Sequence, residues 1–458
     1  MKVIICGAGQ VGFNIARQLS AEHNDVTVID SAPEQVHRAS DVLDVKALIG
    51  YASHPDVLEQ AGAEGADMII AVTLSDEVNM VACQIAHSLF NVPTKIARVR
   101  TRSYLEPMWA DLFSRDNMPI DVIISPEYEV AQAIARRLEV PGAFEVVPFA
   151  DGKVRMVGVH IIEDCPIIDT PLRQLTELFP ELEIVIVGIL REGRMMTPSG
   201  DDQILVGDDV YFVTSREHVG RSLAVFGSEE KEARRIVIVG AGNIGLYLAQ
   251  ALENAQRNVN VKLIEINKER AQVAADQLNR AVVLNGDALD HDILREANVQ
   301  EAEAVISVAN EDEVNILSAL LAKRAGCKRA ITLINNPTYG PLINSLGIDV
   351  FINPRATTVS TILQHVRRGR IRGLYALADG KAEVIEAEAL ETSGLTNVPL
   401  RELRIPAGII IGAIVRDGEV LIPRGDTVVR VEDRVILLAL TNMVKKVEDL
   451  FSVRLEFF

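Results

Sequence analysis

Residues 3–12 read VIICGAGQVG, and residues 236–245 read IVIVGAGNIG. In each stretch a short apolar run is followed by glycines in the order G-x-G-x-x-G, the pattern in which a buried strand turns sharply into a helix. The three glycines allow a tight turn, a close approach of the backbone to a ligand, and close packing of helix on strand. The two stretches lie about half a chain apart, so we expect one structural unit to occur twice.

The similarity between the halves continues beyond the glycines. MIIAVTLSDEVN at 68–79 matches AVISVANEDEVN at 304–315, and ILREGRMMTPSG at 189–200 matches IVRDGEVLIPRG at 414–425. Similarity at corresponding positions along both halves indicates a tandem duplication, in which each half has two parts. The polar segment 227–235, GSEEKEARR, joins the halves.

The first part of each half alternates short β-branched runs with helical patterns, which predicts an α/β fold with a Rossmann-type, doubly wound parallel sheet. In the first half we expect helices over Val11–Ser20 and Glu77–Phe90. The expected strands there are Val3–Cys6, Val26–Ile29, Ala47–Ile49, Met68–Val72, Lys95–Val99 and Asp121–Ile124.

After Pro141-Gly142 the pattern changes to shorter strands separated by turn signals, including Ile184–Leu190 and Asp209–Thr214, with one helix near Pro171–Phe179. This is typical of a small α+β module, and the second half repeats the order. We therefore divide the chain into four domains, with the boundaries 1–125, 142–226, 233–353 and 372–453.

Composition excludes several classes of protein. The net charge of −18 repels phosphate backbones, and 4% aromatic residues are too few for a base-stacking surface, so we expect no nucleic-acid partner. The four scattered cysteines favour a reducing cytoplasm over a disulfide framework or a zinc site. No apolar run approaches the roughly 20 residues that span a bilayer. The basic run 367–372, RRGRIR, is a local exception to the acidic charge of the chain. We interpret it as a solvated helix end rather than a contact with an acidic partner or anionic lipid.

The first glycine loop predicts a nucleotide site. A helix N-terminus attracts a diphosphate, and the acidic Asp30 ends the second strand, where a carboxylate accepts hydrogen bonds from ribose hydroxyls and repels a 2′-phosphate. This favours NAD(H), ATP or ADP over NADP. Thr73 and Arg98 end the fourth and fifth strands on the crevice side. The cofactor-binding residues predicted in the first half are Gly7, Ala8, Gly9, Gln10, Val11, Gly12, Asp30, Thr73, Leu74 and Arg98.

The second half keeps the glycines and an acid but lacks two of the crevice residues. Ala309 stands opposite Thr73, and Ile334 is aligned with Arg98, so the second site is expected to be weaker or differently selective. The cofactor-binding residues predicted there are Gly240, Ala241, Gly242, Asn243, Ile244, Gly245, Glu265, Ala309 and Asn310.

Nothing in the sequence predicts catalysis or a metal site. None of the eight histidines occurs at the same position in both halves, and no Ser-His-Asp, metal-ligand or lysine-nucleophile pattern is present. The small modules are too short to resemble substrate domains. We therefore expect ligand binding without turnover. An NAD-dependent oxidoreductase remains the alternative from another class.

The whole chain resembles the TrkA family, the cytosolic regulatory subunits of bacterial Trk potassium uptake systems, in which each half is an RCK unit with an N-terminal nucleotide-binding domain and a C-terminal module. The motifs that carry the resemblance are MKVIICGAGQVG at 1–12, VTVID at 26–30, AVTLSDEVNM at 71–80, KIARVR at 95–100 and PRGDTVVRVEDRVILL at 423–438.

The resemblance implies NAD(H) and adenine-nucleotide binding, with the diphosphate at Gly7 to Val11, the ribose at Asp30, and further contacts at Thr73, Leu74 and Arg98. It also implies a homo-oligomer, a tetrameric ring, docked on the cytoplasmic side of the inner membrane beneath a potassium-translocating subunit. RCK units serve several transporters, so a nucleotide sensor of a different cation transporter or of an efflux channel stays open.

Overall fold

The computed structural model describes residues 1–114, 116–179, 182–228, 232–255, 258–366 and 371–451. Six strands from the beginning of the chain lie parallel in one sheet: β1 (Lys2–Cys6), β2 (Asp25–Asp30), β3 (Lys46–Ile49), β4 (Met68–Ala71), β5 (Thr94–Arg98) and β6 (Val122–Ile124). Their order across the sheet, β3-β2-β1-β4-β5-β6, is that of a doubly wound fold. The helices that connect them are α1 (Gln10–Ala21), α2 (Pro33–Val42), α3 (Pro55–Gln60) and α4 (Asp76–Ser88). The predicted Rossmann-type sheet is confirmed.

A small antiparallel sheet follows. Its strands are β7 (Glu145–Phe149), β8 (Val154–His160), β9 (Ile184–Arg191), β10 (Arg194–Met196) and β11 (Asp209–Ser215), in the order β10-β9-β11-β8-β7. The helices of this region are α5 (Pro126–Glu139), which precedes the sheet, α6 (Leu172–Leu178) and α7 (Val219–Val225). The small α+β module is therefore confirmed as well.

The second half repeats this architecture. Its parallel strands are β12 (Arg235–Val239), β13 (Asn260–Glu265), β14 (Val282–Asn285), β15 (Ala304–Ser307), β16 (Arg329–Leu333) and β17 (Val350–Ile352), in the order β14-β13-β12-β15-β16-β17. The helices beside them are α8 (Asn243–Ala255), α9 (Lys268–Gln277), α10 (His291–Glu296), α11 (Asp312–Ala325) and α12 (Gly340–Ser345).

Helix α13 (Pro354–Val366) leads from this sheet to the second small module. The strands of the module are β18 (Ile371–Leu377), β19 (Ala382–Glu388), β20 (Ile409–Arg416), β21 (Glu419–Leu421) and β22 (Arg434–Leu440), and they pair in the order β18-β19-β22-β20-β21 before helix α14 (Val444–Phe451). The observed order agrees with a tandem duplication.

The central strands are apolar because both of their faces are covered. Val3, Ile4 and Ile5 of β1 are at most 2% exposed, and side chains of a strand alternate between the two faces of a sheet. Such a strand needs helices on both sides, and here one of those helices comes from the other half of the chain.

Helices α5 and α13 are exchanged between the halves. Helix α5 leaves the first sheet but packs on α8 and the second sheet, and helix α13 leaves the second sheet but packs on α1 and the first sheet. The core under α5 joins Val130, Ile134 and Leu138 to Ile236, Ile238 and Leu248. The core under α13 joins Val359, Ile362 and Leu363 to Val3, Ile5, Ile15 and Leu19. Each parallel sheet is thus completed by the opposite half.

The two small sheets also pack on each other. Their shared core includes Val187 and Val213 from the first module and Ala413 and Leu438 from the second. A Cβ on Gly412 would lie 2.7 Å from the Val213 side chain, so the backbone of β20 approaches the first sheet closely. The halves are therefore joined at both their large and their small sheets.

Other sequence expectations can be compared with the described residues. Within them, no helix is long and apolar enough to cross a membrane, and no cluster of acidic, histidine and cysteine side chains is suited to a metal ion. All four cysteines are buried and free. Residues 367–370 of the basic run lie outside the described residues, and its last member, Arg372, pairs with Glu388.

Truncation of Ile134, a residue of the first half, is expected to destabilise the sheet of the second half. The side chain is fully buried against β12 and α8, and Ile→Ala at such positions costs about 2–5 kcal/mol in the free energy of unfolding. Hydrogen exchange of the full chain should therefore show faster exchange in β12 of Ile134→Ala. The control is Val81→Ala on α4, where the side chain is 42% exposed. Faster exchange confined to the strands of the first sheet would contradict the exchanged packing.

Candidate nucleotide-binding site

Close backbone contacts shape the first glycine loop and leave no room for a side chain at Gly7 or Gly12. Gly7 has φ +108°, and its N–H donates to the Ile29 carbonyl at 2.7 Å. A Cβ on Gly12, the third residue of α1, would lie 1.8 Å from the Gly7 carbonyl oxygen, so only glycine permits the helix to lie this close to the loop. A Cβ on Gly9 would meet no atom within 4 Å. The protein therefore keeps free space at Gly9, beside the N-terminus of α1.

Asp30 connects the end of β2 to this loop. One carboxylate oxygen accepts a hydrogen bond from the Ala8 N–H at 2.6 Å, and the other accepts from the Ala32 N–H at 2.8 Å. Each carboxylate oxygen has a further lone pair, so Asp30 is still able to accept hydrogen bonds from a ligand. The acid thus has a structural role in addition to the ribose contact predicted for it.

The second loop repeats these contacts. Gly240 has φ +102°, and a Cβ on Gly245 would lie 2.0 Å from the Gly240 carbonyl oxygen. The Glu265 carboxylate accepts from the N–H groups of Ala241 at 2.7 Å and Asn267 at 2.8 Å. Glu265 is only 5% exposed, so the acid of the second half is more deeply buried than Asp30.

A buried asparagine positions the ends of the next two strands. The Asn79 side-chain oxygen accepts from the N–H and the hydroxyl of Thr73, at 2.8 and 2.7 Å, and its amide donates to the carbonyls of Thr73 and Arg98. In the second half, the Asn315 side-chain oxygen accepts from the Ala309 N–H, and its amide donates to the carbonyls of Ala309 and Leu333. Neither asparagine was predicted from the sequence, although the DEVN motif that the two halves share could have identified both.

Arg98 is buried with unused hydrogen-bonding capacity. The side chain is 9% exposed, and one terminal nitrogen donates to the Thr73 carbonyl at 2.6 Å. The Nε atom is buried and has no hydrogen-bond partner among the described residues. Burial lowers the pKa of the guanidinium, and the neighbouring Arg100 lowers it further. Because an unpaired buried donor is costly, this arrangement favours an anionic ligand near Arg98.

The strand register corrects one assignment. Leu333, not Ile334, is the counterpart of Arg98, because Met68 and Ala304 begin equivalent strands and pair with Thr94 and Arg329 respectively. Ile334 instead corresponds to Val99, since the N–H of each donates to the last strand of its sheet. Ile334 was therefore the wrong counterpart by one residue, but the prediction that the second half lacks this arginine is correct, because residue 333 is a leucine.

A second difference lies beyond these strands. In the first half Asp76 accepts from the N–H groups of Arg100 and Thr101, and Arg100 pairs with Glu127, the second residue of α5, at 2.7 Å. In the second half Asp312 accepts from the N–H groups of Asn335 and Asn336 at 2.8 and 2.7 Å. Asn335 therefore replaces Arg100.

Glu127 also has a different counterpart in the second half. Arg355 follows the first proline of α13 as Glu127 follows that of α5, so an arginine stands where the first half has an acid. Arg100, Glu127 and Arg355 were not predicted as site residues from the sequence, because the two halves do not carry the same charges at these positions.

The two crevices open into one cleft of about 940 Å³, whose walls come from both halves. Of the predicted residues, those that line it are Gly7, Gly9, Gln10, Val11, Asp30, Thr73, Leu74, Arg98, Gly242, Asn243, Ile244, Ala309 and Asn310. The others support the cleft from behind: Ala8, Gly12, Gly240, Ala241, Gly245 and Glu265. Residues that the sequence analysis did not predict include Tyr51, Arg100, Glu127, Asn335 and Arg355.

Tyr51 makes the first wall different from the second. It follows β3, is 59% exposed and lines the same cleft as Asp30. The preceding Gly50 donates to the Asp30 carbonyl, as Gly286 donates to that of Glu265, so the counterpart of Tyr51 is Asp287. Only the first half offers an aromatic ring at this place.

Comparison with known proteins gives the class of the molecule. The TrkA-N domain model matches residues 3–126 and 236–354, and the TrkA-C domain model matches residues 156–227 and 384–452. Among solved structures, the GsuK RCK domain has a TM-score of 0.60 at 20% identity, covering 99% of this chain and 95% of that chain. The GsuK channel bound to NAD has a TM-score of 0.60 at 20% identity, covering 99% and 79%. These likenesses show a tandem RCK-type fold.

Closer relatives are similar over their full length. "Trk system potassium uptake protein TrkA" of Azorhizobium caulinodans is 55% identical over 458 residues, covering 100% of both chains. The proteins of the same name from Halomonas elongata and Vibrio alginolyticus are both 42% identical, covering 100% and 99% of each chain respectively. The chain belongs to the TrkA family.

The glycine loop provides a matched pair of variants. Gly12→Ala should lower the free energy of unfolding by about 2 kcal/mol or more, because its Cβ overlaps the Gly7 carbonyl and overpacking strains the backbone. Gly9→Ala should leave the melting temperature unchanged and weaken nucleotide binding, because its Cβ meets only the free space. Thermal unfolding of both full-length variants, followed by titration of Gly9→Ala with ADP, tests this. Equal melting temperatures for the two variants would contradict the assigned loop geometry.

Proposed function

We propose that this chain is the nucleotide-binding regulatory subunit of a Trk-type potassium uptake system, which gates a membrane potassium-translocating subunit. The names of its full-length relatives support the connection with potassium uptake. The observation that carries the regulatory part is the cleft, because two nucleotide-type loops face each other across it and each half supplies one wall. A ligand there contacts both halves of the protein.

The proposed ligands are NAD(H) and, at the same sites, ATP or ADP. Three features of the first crevice support this choice: a helix N-terminus with free space at Gly9, a carboxylate at Asp30, and the incompletely paired Arg98. A carboxylate at Asp30 disfavours a 2′-phosphate and hence NADP. The contacts proposed in the second crevice are Gly240 to Ile244, Ala309 and Asn310, with Glu265 holding the loop.

The cleft suggests how binding is converted into a mechanical signal. A nucleotide joins the Gly7–Gly12 turn to the strand ends at Thr73 and Arg98, and it also fills space bounded by the second half. Because α5 and α13 cross between the sheets, a change in the angle between the sheets moves the attached small modules. The protein acts in this proposal as a homo-oligomer, a tetramer, with domains at 1–125, 142–226, 233–353 and 372–453.

The energy required is modest. Moving a gate from 1:99 to 99:1 takes about 5.5 kcal/mol of differential binding. Shared among four chains with one occupied site each, this is about 1.4 kcal/mol per site, which is a tenfold difference in affinity between the two states. Differential binding of nucleotide is sufficient for this.

We propose binding without catalysis, at a cytoplasmic location peripheral to the inner membrane. The acidic side chains that line the cleft are already engaged: Asp30 by two backbone N–H groups and Glu127 by Arg100. A general acid or base must exchange a proton with substrate, whereas the hydrogen bonds and the ion pair of these two carboxylates are to groups of the protein.

Arg98→Leu tests the first site. Leu333 already occupies the equivalent position of the second half at 4% exposure, so the fold tolerates leucine there. Loss of a charge-assisted hydrogen bond should weaken binding of ADP or NADH by about tenfold or more, measured by titration calorimetry on the full-length protein. The control variant is Arg404→Gln, which removes an exposed arginine from the second small module.

The same variants test regulation in cells. Rubidium uptake at limiting potassium should collapse in cells that lack this chain and return with the wild type and with Arg404→Gln. With Arg98→Leu, uptake should lose its response to nucleotide. Normal uptake without the chain, when no other potassium system is induced, would refute the proposed function. Normal nucleotide response with Arg98→Leu would refute only the role of the first site.

A further inference from the structure

Arg355 lies on the wall of the cleft, and its side chain pairs with none of the described residues. Its backbone N–H donates to Asn353, but within the described part of the chain its guanidinium has no hydrogen bond or ion pair. It lines the same cleft as Gly242, Asn243 and Leu333. Burial lowers the pKa of the guanidinium, and only the carboxylate of Asp312 acts in the opposite direction.

The position of Arg355 in its helix is also unfavourable. It is the second residue of α13, a helix of 13 residues, and the N-terminal end of a helix carries a partial positive charge. A cation there is destabilised by the helix dipole, whereas acids are favoured, as Glu127 shows at the equivalent place in α5. A bound anion at this point would relieve both the missing pairing and the unfavourable dipole.

Glu127, the acid at the equivalent position of α5, does not form an ion pair with Arg355. Glu127 lines the same cleft, but one of its oxygens is held by Arg100 and the other is buried without a partner. The ion pair of Glu127 is therefore with Arg100 and not with Arg355. An anionic ligand in the cleft would supply the hydrogen-bonding partner that the described residues do not give Arg355.

The second crevice has lost the cations of the first. Leu333 replaces Arg98, and Asn335 replaces Arg100, so neither strand end offers a positive charge. Arg355 begins the helix that follows β17, the neighbour of β16, and therefore lies at the same carboxyl edge of the second sheet as Leu333. The second crevice thus has its cation at the start of α13, after β17, whereas the first has Arg98 at the end of β5.

We propose that Arg355 binds a phosphate group of the nucleotide held by the second glycine loop, in the role that Arg98 has in the first. The proposal rests on the proposed function, since it assigns a ligand contact to the second of its two sites. It makes the second site a genuine phosphate-binding site of different construction, rather than a vestige of the first.

Variants that separate the two loops provide the test. Gly9 and Gly242 both have free space at Cβ, and aspartate is a good residue at the start of a helix, so Gly9→Asp and Gly242→Asp keep the fold and repel phosphate from one loop each. Binding of ADP to the full-length protein is measured by titration calorimetry in each background, with and without Arg355→Gln.

Arg355→Gln should weaken ADP binding about tenfold or more in the Gly9→Asp background and cause no further loss in the Gly242→Asp background. The melting temperature without nucleotide should be unchanged or raised, because an unpaired cation is removed. A merely structural arginine would lower it. Arg404→Gln, the exposed control, should change neither quantity.

The inference is overturned by unchanged affinity in the Gly9→Asp background, by an equal loss in the Gly242→Asp background, or by a lower melting temperature without nucleotide. If Gly9→Asp binds no ADP while Gly242→Asp does, the second site is empty and the inference fails, but the proposed function stands. If the wild type binds neither ADP nor NADH, the proposed function itself fails.

Discussion

The exchange of α5 and α13 between the halves is the interaction on which the rest of the structure depends. Each parallel sheet has a central strand that is apolar on both faces, and one face is covered by a helix that belongs to the other half. Neither sheet is completely buried without its partner. The same exchange holds the carboxyl edges of the two sheets opposite each other, which creates the common cleft, and it continues into the two small sheets that pack face to face.

Much of this could be predicted from the sequence, because the deciding signals are local. The strands end within one or two residues of their predicted limits, since short apolar runs bounded by glycine or polar residues identify buried strands. The glycine loops could also be predicted locally, because the positive φ at Gly7 and the lack of space for a Cβ at Gly12 favour glycine at both positions. The residues of the nucleotide contacts themselves remain predictions, although thirteen of them line the cleft.

What the sequence did not reveal depends on contacts between distant segments. The predicted domain boundaries leave 126–141 and 354–371 unassigned, and these segments contain the exchanged helices, whose apolar faces do not show which sheet they cover. The counterpart of Arg98 was misplaced by one residue because a shorter loop precedes β16. The strand pairing and the hydrogen bonds of Asn315 define the register in the folded protein. Glu127 and Arg355 were missed because a comparison that searches for identity passes over positions where the charge is reversed.

That reversed pair follows from the joining of two units in one chain. In a dimer of identical chains, two-fold symmetry would require the same residue at the start of both crossing helices, so an acid would face an acid, or a cation a cation. Covalent duplication removes the constraint, and here Glu127 and Arg355 occupy related positions on opposite walls of one cleft. Gene duplication has thus given this cleft a polarity that a symmetric assembly of the same architecture lacks.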